Sequence, residues 1–483
     1  MPSIKKNIAY SSILTVSGYL FPLITFPYVT RVLGVNNIGI CNFVDSVVYY
    51  FIVFSMMGVG KVGVREIARA KHSKAELDKT FSSLLSLNLL FTVFSILVLF
   101  ICVGFVPKFQ EYHQMFYIGA AKILANSLLI EWLFTGLENF KFITVRSILV
   151  RALYVIAVFI FVRNPEDYIV YFLLTTLMYV VNSAINVFYS RRFVKFSLKH
   201  ISVSSFIKPF MIIGFYIILT NTYTTFNVTY LGLVRDTVEV GYYYTATKLY
   251  SIIMSLFTAF TGVMIPRMSS LLVEGKENEF KRLTKQSVDV LFAFAMPLIL
   301  ISEICAPQIV RIIAGEGYGG SIVPMRIVTP LMVVIGYEQI IILQMLMPLK
   351  KDSAILINSM IGAAVGLSAN LLIVGKYGAV GTSIVWVVSE LAVLASAQCF
   401  IDKYVGFKLP LKPFLMRCIC YLPAVFAALL INRYIDNVFW SLCLVTMVAC
   451  ASCAIVELMV MKNDILISNY RRLKDRILNT SRG

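Results

Sequence analysis

The 483-residue chain reads as an all-α polytopic membrane protein of about fourteen transmembrane helices, and three observations predict this. Apolar residues make up 59% of it and charged residues only 14%, with a mean hydropathy of +0.82. A soluble domain is about 25% charged. Mostly apolar runs recur along the chain, each close to the ~20 residues that a helix needs to cross a bilayer. Basic residues are also shared very unequally between alternate connecting segments, as in polytopic membrane proteins.

The spans fall near 8–33, 38–60, 81–106, 114–137, 145–163, 167–190, 207–231, 239–265, 287–311, 322–347, 353–374, 378–401, 411–432 and 438–461. A membrane β-barrel would instead show alternating segments of about ten residues, and these runs are too long and continuous for that. With the N-terminus inside, the cytoplasmic segments hold 32 of the 43 basic residues and the opposite loops six. Positive loops stay cytoplasmic, so both termini are expected inside. The net charge of +18 then reflects this asymmetry and an attraction to anionic lipid. It does not form the basic patch on a soluble fold that nucleic-acid binding would need.

The remaining five basic residues, Arg31, Lys122, Arg151, Lys248 and Arg326, lie inside spans. A charge at bilayer depth costs roughly 2.5–3.5 kcal/mol on insertion scales and usually faces a hydrated cavity, a partner or a pathway. Five cations on different helices point to a route for something anionic. The bland alternative pairs some of them with Asp45, Glu131, Glu338 or Glu390, or lets them snorkel to an interface. Asp45 is expected to pair with Arg31 and Glu131 with a basic residue on the inner side. The same four acids, with Glu303, are the candidates for ion coupling.

Other chemistries find little support. The cysteines fall in or beside spans as small apolar residues do, and Cys450-Ala-Ser-Cys453 sits in an apolar run without the βαβ context of a redox motif. Disulfides are not expected. His72, His113 and His200 lie in separate loops, so no metal site is expected. Ala314-Gly-Glu-Gly-Tyr-Gly-Gly-Ser321 lacks the strand before it and the Gly-Lys-Ser/Thr after it that a phosphate loop requires, and reads as an external turn. The first apolar stretch is long enough to span and shows no convincing signal-peptide cleavage site. External loops of about 4 to 11 residues leave no room for a catalytic domain, so the chain is not expected to be an enzyme.

An internal repeat is visible at two junctions. Leu33-Gly34 precedes Ile38-Gly39, and Leu231-Gly232 precedes Val240-Gly241. The offset is six spans, an even number, which implies parallel repeats about an axis along the membrane normal. The expected organisation is an N-lobe at 1–206, a C-lobe at 207–402 and two further helices with a tail at 403–483, with a central cavity between the six-helix lobes. Pro22, Pro27, Pro297, Pro324 and Pro330 interrupt spans and favour kinks. Gly362-Ala-Ala-Val-Gly366 offers a small face for close helix packing.

Several segments resemble one family. Pro27-Tyr-Val-Thr-Arg-Val-Leu-Gly34 with Ile38-Gly39 is similar to the first-helix signature of the bacterial oligosaccharide (O-antigen type) flippases. These form the polysaccharide-transport branch of the multidrug/oligosaccharidyl-lipid/polysaccharide exporter superfamily. Gly63-Val-Arg-Glu-Ile-Ala68, Glu131-Trp-Leu-Phe-Thr-Gly-Leu-Glu138, Tyr242-Tyr-Tyr-Thr-Ala-Thr-Lys-Leu-Tyr250 and Gly375-Lys-Tyr-Gly-Ala-Val-Gly381 resemble further signatures in the family's order. The resemblance implies translocation of an undecaprenyl-diphosphate-linked oligosaccharide from the cytoplasmic to the periplasmic leaflet of the inner membrane. It implies alternating access of a V-shaped cavity, in the service of O-antigen lipopolysaccharide, capsule or exopolysaccharide synthesis. No cofactor is implied beyond H+ or Na+ coupling, and the partners are the lipid-linked glycan, membrane lipid and glycan polymerase machinery. A lipid-linked peptidoglycan precursor flippase and a multidrug exporter of the same superfamily are the alternatives. A drug exporter's cationic substrates would favour an anionic cavity.

Overall fold

A computed structural model describes residues 4–197, 201–202, 204–463 and 467. His200 and most of the basic tail after Lys462 lie outside the described residues. Among the described residues, ten helices are long and apolar enough to cross a membrane, or eleven if one pair bent by 43° counts as a single span. The described residues form helices, with no strand among them. The chain divides into two compact units, residues 1–244 and 245–483.

The first unit begins with α1 (Ile4–Met56). Its 53 residues would reach about 80 Å as one rod, far beyond a ~30 Å hydrocarbon core. Gly34, at φ 73° and ψ 170°, breaks it. Glycine alone takes this backbone without strain, so the Leu-Gly junction separates two spans with a single residue where the sequence suggested a short polar loop. There follow α2 (Val59–Ala70), α3 (Lys74–Phe105), the short α4 (Pro107–Glu111), α5 (His113–Ser127), α6 (Glu131–Gly136), α7 (Phe140–Phe161), α8 (Tyr168–Ser190) and α9 (Ser204–Val234).

Two motifs far apart in sequence meet here. A Cβ on Gly63 of α2 would lie 2.7 Å from the Trp132 ring of α6, and one on Gly136 would lie 2.7 Å from the Ile67 side chain. The Gly-Val-Arg-Glu and Glu-Trp segments are thus one interface, closed by Trp132 against Phe81 at 5.7 Å. The two repeat junctions meet as well. A Cβ on Gly39 would strike the Thr237 carbonyl oxygen at 1.6 Å, and one on Gly241 would strike the Val35 carbonyl oxygen at 2.2 Å. Thr237 Oγ1 donates to Asn36 Oδ1 at 2.5 Å across this crossing. Gly39 and Gly241 therefore each admit the other junction's backbone. Helix α9, grouped by sequence with the second lobe, packs on α1, α2 and α3, because Gly232 seats the Phe43 ring and Gly214 seats Met57.

The second unit takes up most of α10 (Thr237–Val273), then α11 (Glu277–Ile313), α12 (Ile322–Val328), α13 (Leu331–Gln339), α14 (Asp352–Ala369), α15 (Gly375–Val405), α16 (Leu411–Tyr434) and α17 (Val438–Ile455). Helix α11 is interrupted at Cys305, two residues before Pro307, and α15 at Gly378. Turns of π-helix follow α13, α14 and α17 at Ile340–Leu346, Asn370–Val374 and Val456–Val460. The core packs Phe257, Leu291, Phe292, Leu331, Ile341 and Met345.

The last two spans are fastened by charge. Arg417 of α16 is wholly buried. Its Nε and Nη2 donate to the Glu457 carboxylate at 2.7 and 3.0 Å, and Nη2 also reaches Asp289 of α11 at 2.9 Å. The Phe292 ring lies 5.0 Å from the guanidinium. The π turn after α17 carries Glu457 into this clamp. All nine cysteines are free thiols. Gly315 and Gly317 take positive φ, and the glycine-rich 314–321 segment is a turn.

Candidate functional site

Helix α5 packs against α1, α3 and α8, and Lys122 on α5 points into that junction. Only 5% of the residue is exposed. Its ammonium donates to Asp45, which sits beyond the Gly34 break on α1. The Phe172 and Tyr179 rings of α8 stand 5.7 and 5.1 Å from it. The negative ring faces attract a cation, so the amine is held by one carboxylate and two aromatic rings. The acid is the open partner, with 46% of its side chain exposed.

Asp45 therefore pairs with Lys122, correcting the expected pairing with Arg31. Arg31 stands three residues before Gly34 and Asp45 eleven after it. The offset of eight residues is about 12 Å of helix, which takes the two out of register. Arg31 itself is exposed.

Arg151 on α7 is half-buried, with Nη1 donating to the Leu14 carbonyl at 3.1 Å and to Ser17 Oγ at 2.5 Å. Gly18 lies beside this guanidinium, where a Cβ would stand in ordinary contact 3.8 Å from Nη1. Tyr179 lies within electrostatic reach of both Lys122 and Arg151. Glu131 pairs with Arg146, whose Nη2 donates to Glu131 at 2.5 Å and to Ser147 Oγ at 2.7 Å. Arg146 Nε and Nη1 are buried without a hydrogen-bond partner.

Arg146, the second residue of the 145–163 span, was counted among the 32 basic residues of the cytoplasmic segments. In the structure it lies in α7 with 3% of its side chain exposed. Its position at the edge of the apolar run Phe140–Phe161 was the available signal. Within the first unit, then, Asp45, Lys122, Tyr179, Arg151, Glu131 and Arg146 form one polar strip. Such a strip can hold an anion, because three cations face two acids and guanidinium groups suit phosphate oxygens.

In the second unit the predicted residues do not make an equivalent strip. Lys248 on α10 is half-buried, and Arg326 is exposed with Nε donating to the Glu303 carbonyl at 2.9 Å. Glu338 of α13 and Glu390 of α15 are each 5% exposed and lie within electrostatic reach of one another. Neither belongs to an ion pair among the described residues. Trp386 Nε1, one turn before Glu390, donates to its Oε1 at 2.9 Å. Among the described residues, no three His, Cys, Asp or Glu side chains gather as a metal site would need.

The family model described as "Polysaccharide biosynthesis protein" matches residues 4–272. The chain belongs to this family. This agrees with the resemblance drawn from its first helix and later motifs, and the chain is a multi-pass membrane protein. Two relatives carry the description "Putative O-antigen transporter". One, from Escherichia coli (strain K12), is 27% identical over 381 residues, covering 77% of this chain and 89% of the relative. The other, from Shigella dysenteriae, is 26% identical over 395 residues, covering 81% and 98%. Among solved structures, the lipid II flippase MurJ in an inward closed conformation matches with a TM-score of 0.77 at 14% identity, over 94% of this chain and 100% of that one. An inward-facing multidrug resistance MATE family transporter matches with a TM-score of 0.66 at 13% identity, over 80% and 94%. At such identities the two structures speak for the fold alone.

Proposed function

We propose that this family member carries an undecaprenyl-diphosphate-linked oligosaccharide from the cytoplasmic to the periplasmic leaflet of the inner membrane by alternating access. The observation that carries the reading is Lys122, a nearly sealed ammonium on a membrane helix whose counter-ion is half open. A diphosphate crossing hydrocarbon must exchange its hydration for fixed cations. Asp45 holds Lys122 charged in the resting state, and an arriving diphosphate competes with Asp45 for it. Arg151 and Arg146 extend the positive strip in the first unit, and Arg31, Lys248 and Arg326 are assigned to the same pathway. Glu131 balances Arg146 until the anion arrives. The glycan is expected to meet the hydroxyl and aromatic surface, Tyr179 included, while the acyl chain stays in lipid.

Fourteen crossings form part of this proposal. Breaks at Gly34 and Gly378 divide two helices too long for one crossing, the bent α12–α13 pair supplies one span and α9 another. Two six-helix lobes at 1–206 and 207–402, with 403–483 as an addition, remain the proposed organisation. Both termini are placed in the cytoplasm by the basic asymmetry. A cysteine placed at Lys276 should then resist an impermeant thiol reagent in intact cells, and its labelling there would reverse the orientation. The products would feed O-antigen, capsule or exopolysaccharide assembly, with glycan polymerase machinery as partner.

The test is translocation of lipid-linked oligosaccharide in proteoliposomes. Lys122→Ala and Lys248→Ala should each abolish it while the protein still inserts, and Lys248→Arg should retain part. Unchanged flux in both alanine variants would refute the cation pathway. Preferential movement of a lipid-linked peptidoglycan precursor, or of a cationic drug, would replace the substrate named here.

A further inference from the structure

We infer that Arg326 is a latch that an anion opens: its guanidinium holds α12 on α11 through a carbonyl that Pro307 sets free, and an anionic phosphate headgroup that takes the guanidinium releases α12. Proline has no N–H, and its ring crowds the carbonyl four residues before it. Pro307 of α11 therefore leaves the Glu303 carbonyl without a helical donor. The backbone between the two is interrupted at Cys305, with φ −97° and ψ 19°. Arg326 lies on α12, which packs on α11. Its Nε donates to the Glu303 carbonyl at 2.9 Å. The bond that the proline removes from within one helix is thus made between two.

Helix α11 is fastened elsewhere along its length. Pro297 frees the Ala293 carbonyl in the same way, and Cys453 Sγ of α17 donates to it at 3.3 Å. Arg417 of α16 reaches Asp289 at 2.9 Å, and Gln308 Nε2 donates to Asn432 Oδ1 of α16. These ties lie on both sides of Cys305, so α11 is the fixed member and α12 the one that parts from it. Arg326 also stands in the last turn of α12, just before the 43° bend into α13. Pro330 at that bend denies a donor to the Arg326 carbonyl itself. The chain next to the latch is therefore already weakened as a helix.

The latch keeps its charge available. Nε is bonded to a neutral carbonyl, and Nη1 and Nη2 make no hydrogen bond among the described residues. Arg326 is exposed and forms no ion pair among them. The Glu303 carboxyl lies within electrostatic reach, yet its Oε1 is buried without a hydrogen-bond partner. A guanidinium binds phosphate oxygens through paired N–H groups, more strongly than it binds one neutral carbonyl. A phosphate that pairs with Nε and Nη2 therefore takes Arg326 from Glu303, and the freed carbonyl turns to water. Such a headgroup comes from the carrier's diphosphate or from an acidic phospholipid. That it is the carrier rests on the proposed function.

The experiment is amide hydrogen exchange on the full chain in phosphatidylcholine nanodiscs, read by mass spectrometry in segments 304–310 and 319–330. Arg326→Gln should speed exchange about tenfold in both, since a hydrogen bond from a charged donor is lost. Pro307→Ala returns an N–H to the Glu303 carbonyl and leaves Arg326 nothing to hold. Exchange should then slow in 304–310 and quicken in 319–330, an opposite pair of shifts that a general loss of stability would not give. Wild-type exchange in 319–330 in both variants would overturn the latch. Undecaprenyl diphosphate or phosphatidylglycerol is then added to the wild type. Faster exchange in 319–330 that is absent in Arg326→Gln is expected. A response to the diphosphate alone names the carrier as the source, and a response to phosphatidylglycerol names membrane lipid. No response to either overturns the inference, whatever the transport assay gives. If the diphosphate opens the latch but no lipid-linked oligosaccharide moves in proteoliposomes, the proposed function fails and the latch stands.

Discussion

The two units handle buried charge in opposite ways. In the first, Lys122 is sealed and its partner Asp45 is half open, with aromatic rings completing the cation's surroundings. In the second, Arg417 and Glu457 are both fully sealed, and every oxygen of Glu457 is engaged by Arg417 or Asn463. The first pair can exchange its acid for another anion without opening the core, and the second cannot. An intramembrane ion pair is therefore a binding element or a fastening according to which partner water can reach. Glu338 and Glu390, each 5% exposed and in no ion pair among the described residues, are a third case.

This contrast can be broken most sharply at Arg417. Arg417→Ala leaves Glu457 and Asp289 without their cation, and removing one partner of a buried pair costs about 3–5 kcal/mol. The expected result is loss of folded protein from the membrane, read as yield and melting temperature in mild detergent. Retention of wild-type stability would mean that the clamp does not fasten the last two spans. Next in size is Gly39→Ala. A Cβ there meets a backbone oxygen at 1.6 Å, which no rotamer can relieve, so overpacking of about 1–3 kcal/mol is expected. Ala at Gly60, where a Cβ meets nothing within 4 Å, is the control.

The third comparison sharpens the reading of Lys122. Asp45→Asn strands a buried ammonium and should lower stability by about 1–3 kcal/mol, seen as a falling melting temperature. Lys122→Ala leaves an acid that can turn to water, so it should cost less stability than Asp45→Asn while costing more transport. Equal losses in both variants would make the pair a fastening like that of Arg417.

Much of this was legible in the residues. The predicted apolar runs fall on helices among the described residues, ten or eleven of which are long and apolar enough to cross a membrane, and Gly34 and Gly378, at the ends of Leu-Gly and Gly-Lys-Tyr-Gly motifs, break helices where the chain must turn. What failed were pairings. Arg146 was counted with the cytoplasmic residues because it stands at the edge of its apolar run, whereas Trp386 and Glu390, four residues apart on one helix face, left a local i,i+4 signal. Asp45 was assigned to the wrong cation because sequence proximity across a junction ignores helical offset.

The sequence by itself determined the class of the molecule. Bilayer crossing is a property of one segment at a time: some twenty apolar residues suffice, whatever their neighbours. Loop charge and the Pro27–Gly34, Glu131–Glu138 and Tyr242–Tyr250 motifs carried orientation as an expectation and the family as a resemblance. Only the tertiary structure decided which charges meet. Lys122 finds Asp45 77 residues away, and Arg417 finds Asp289 128 residues away. In hydrocarbon, ionised side chains take whatever polar partner helix packing brings within about 3 Å. That partner is fixed by crossing points such as Gly39 against Thr237 and Gly63 against Trp132, and such contacts between distant segments leave no periodic mark in the chain.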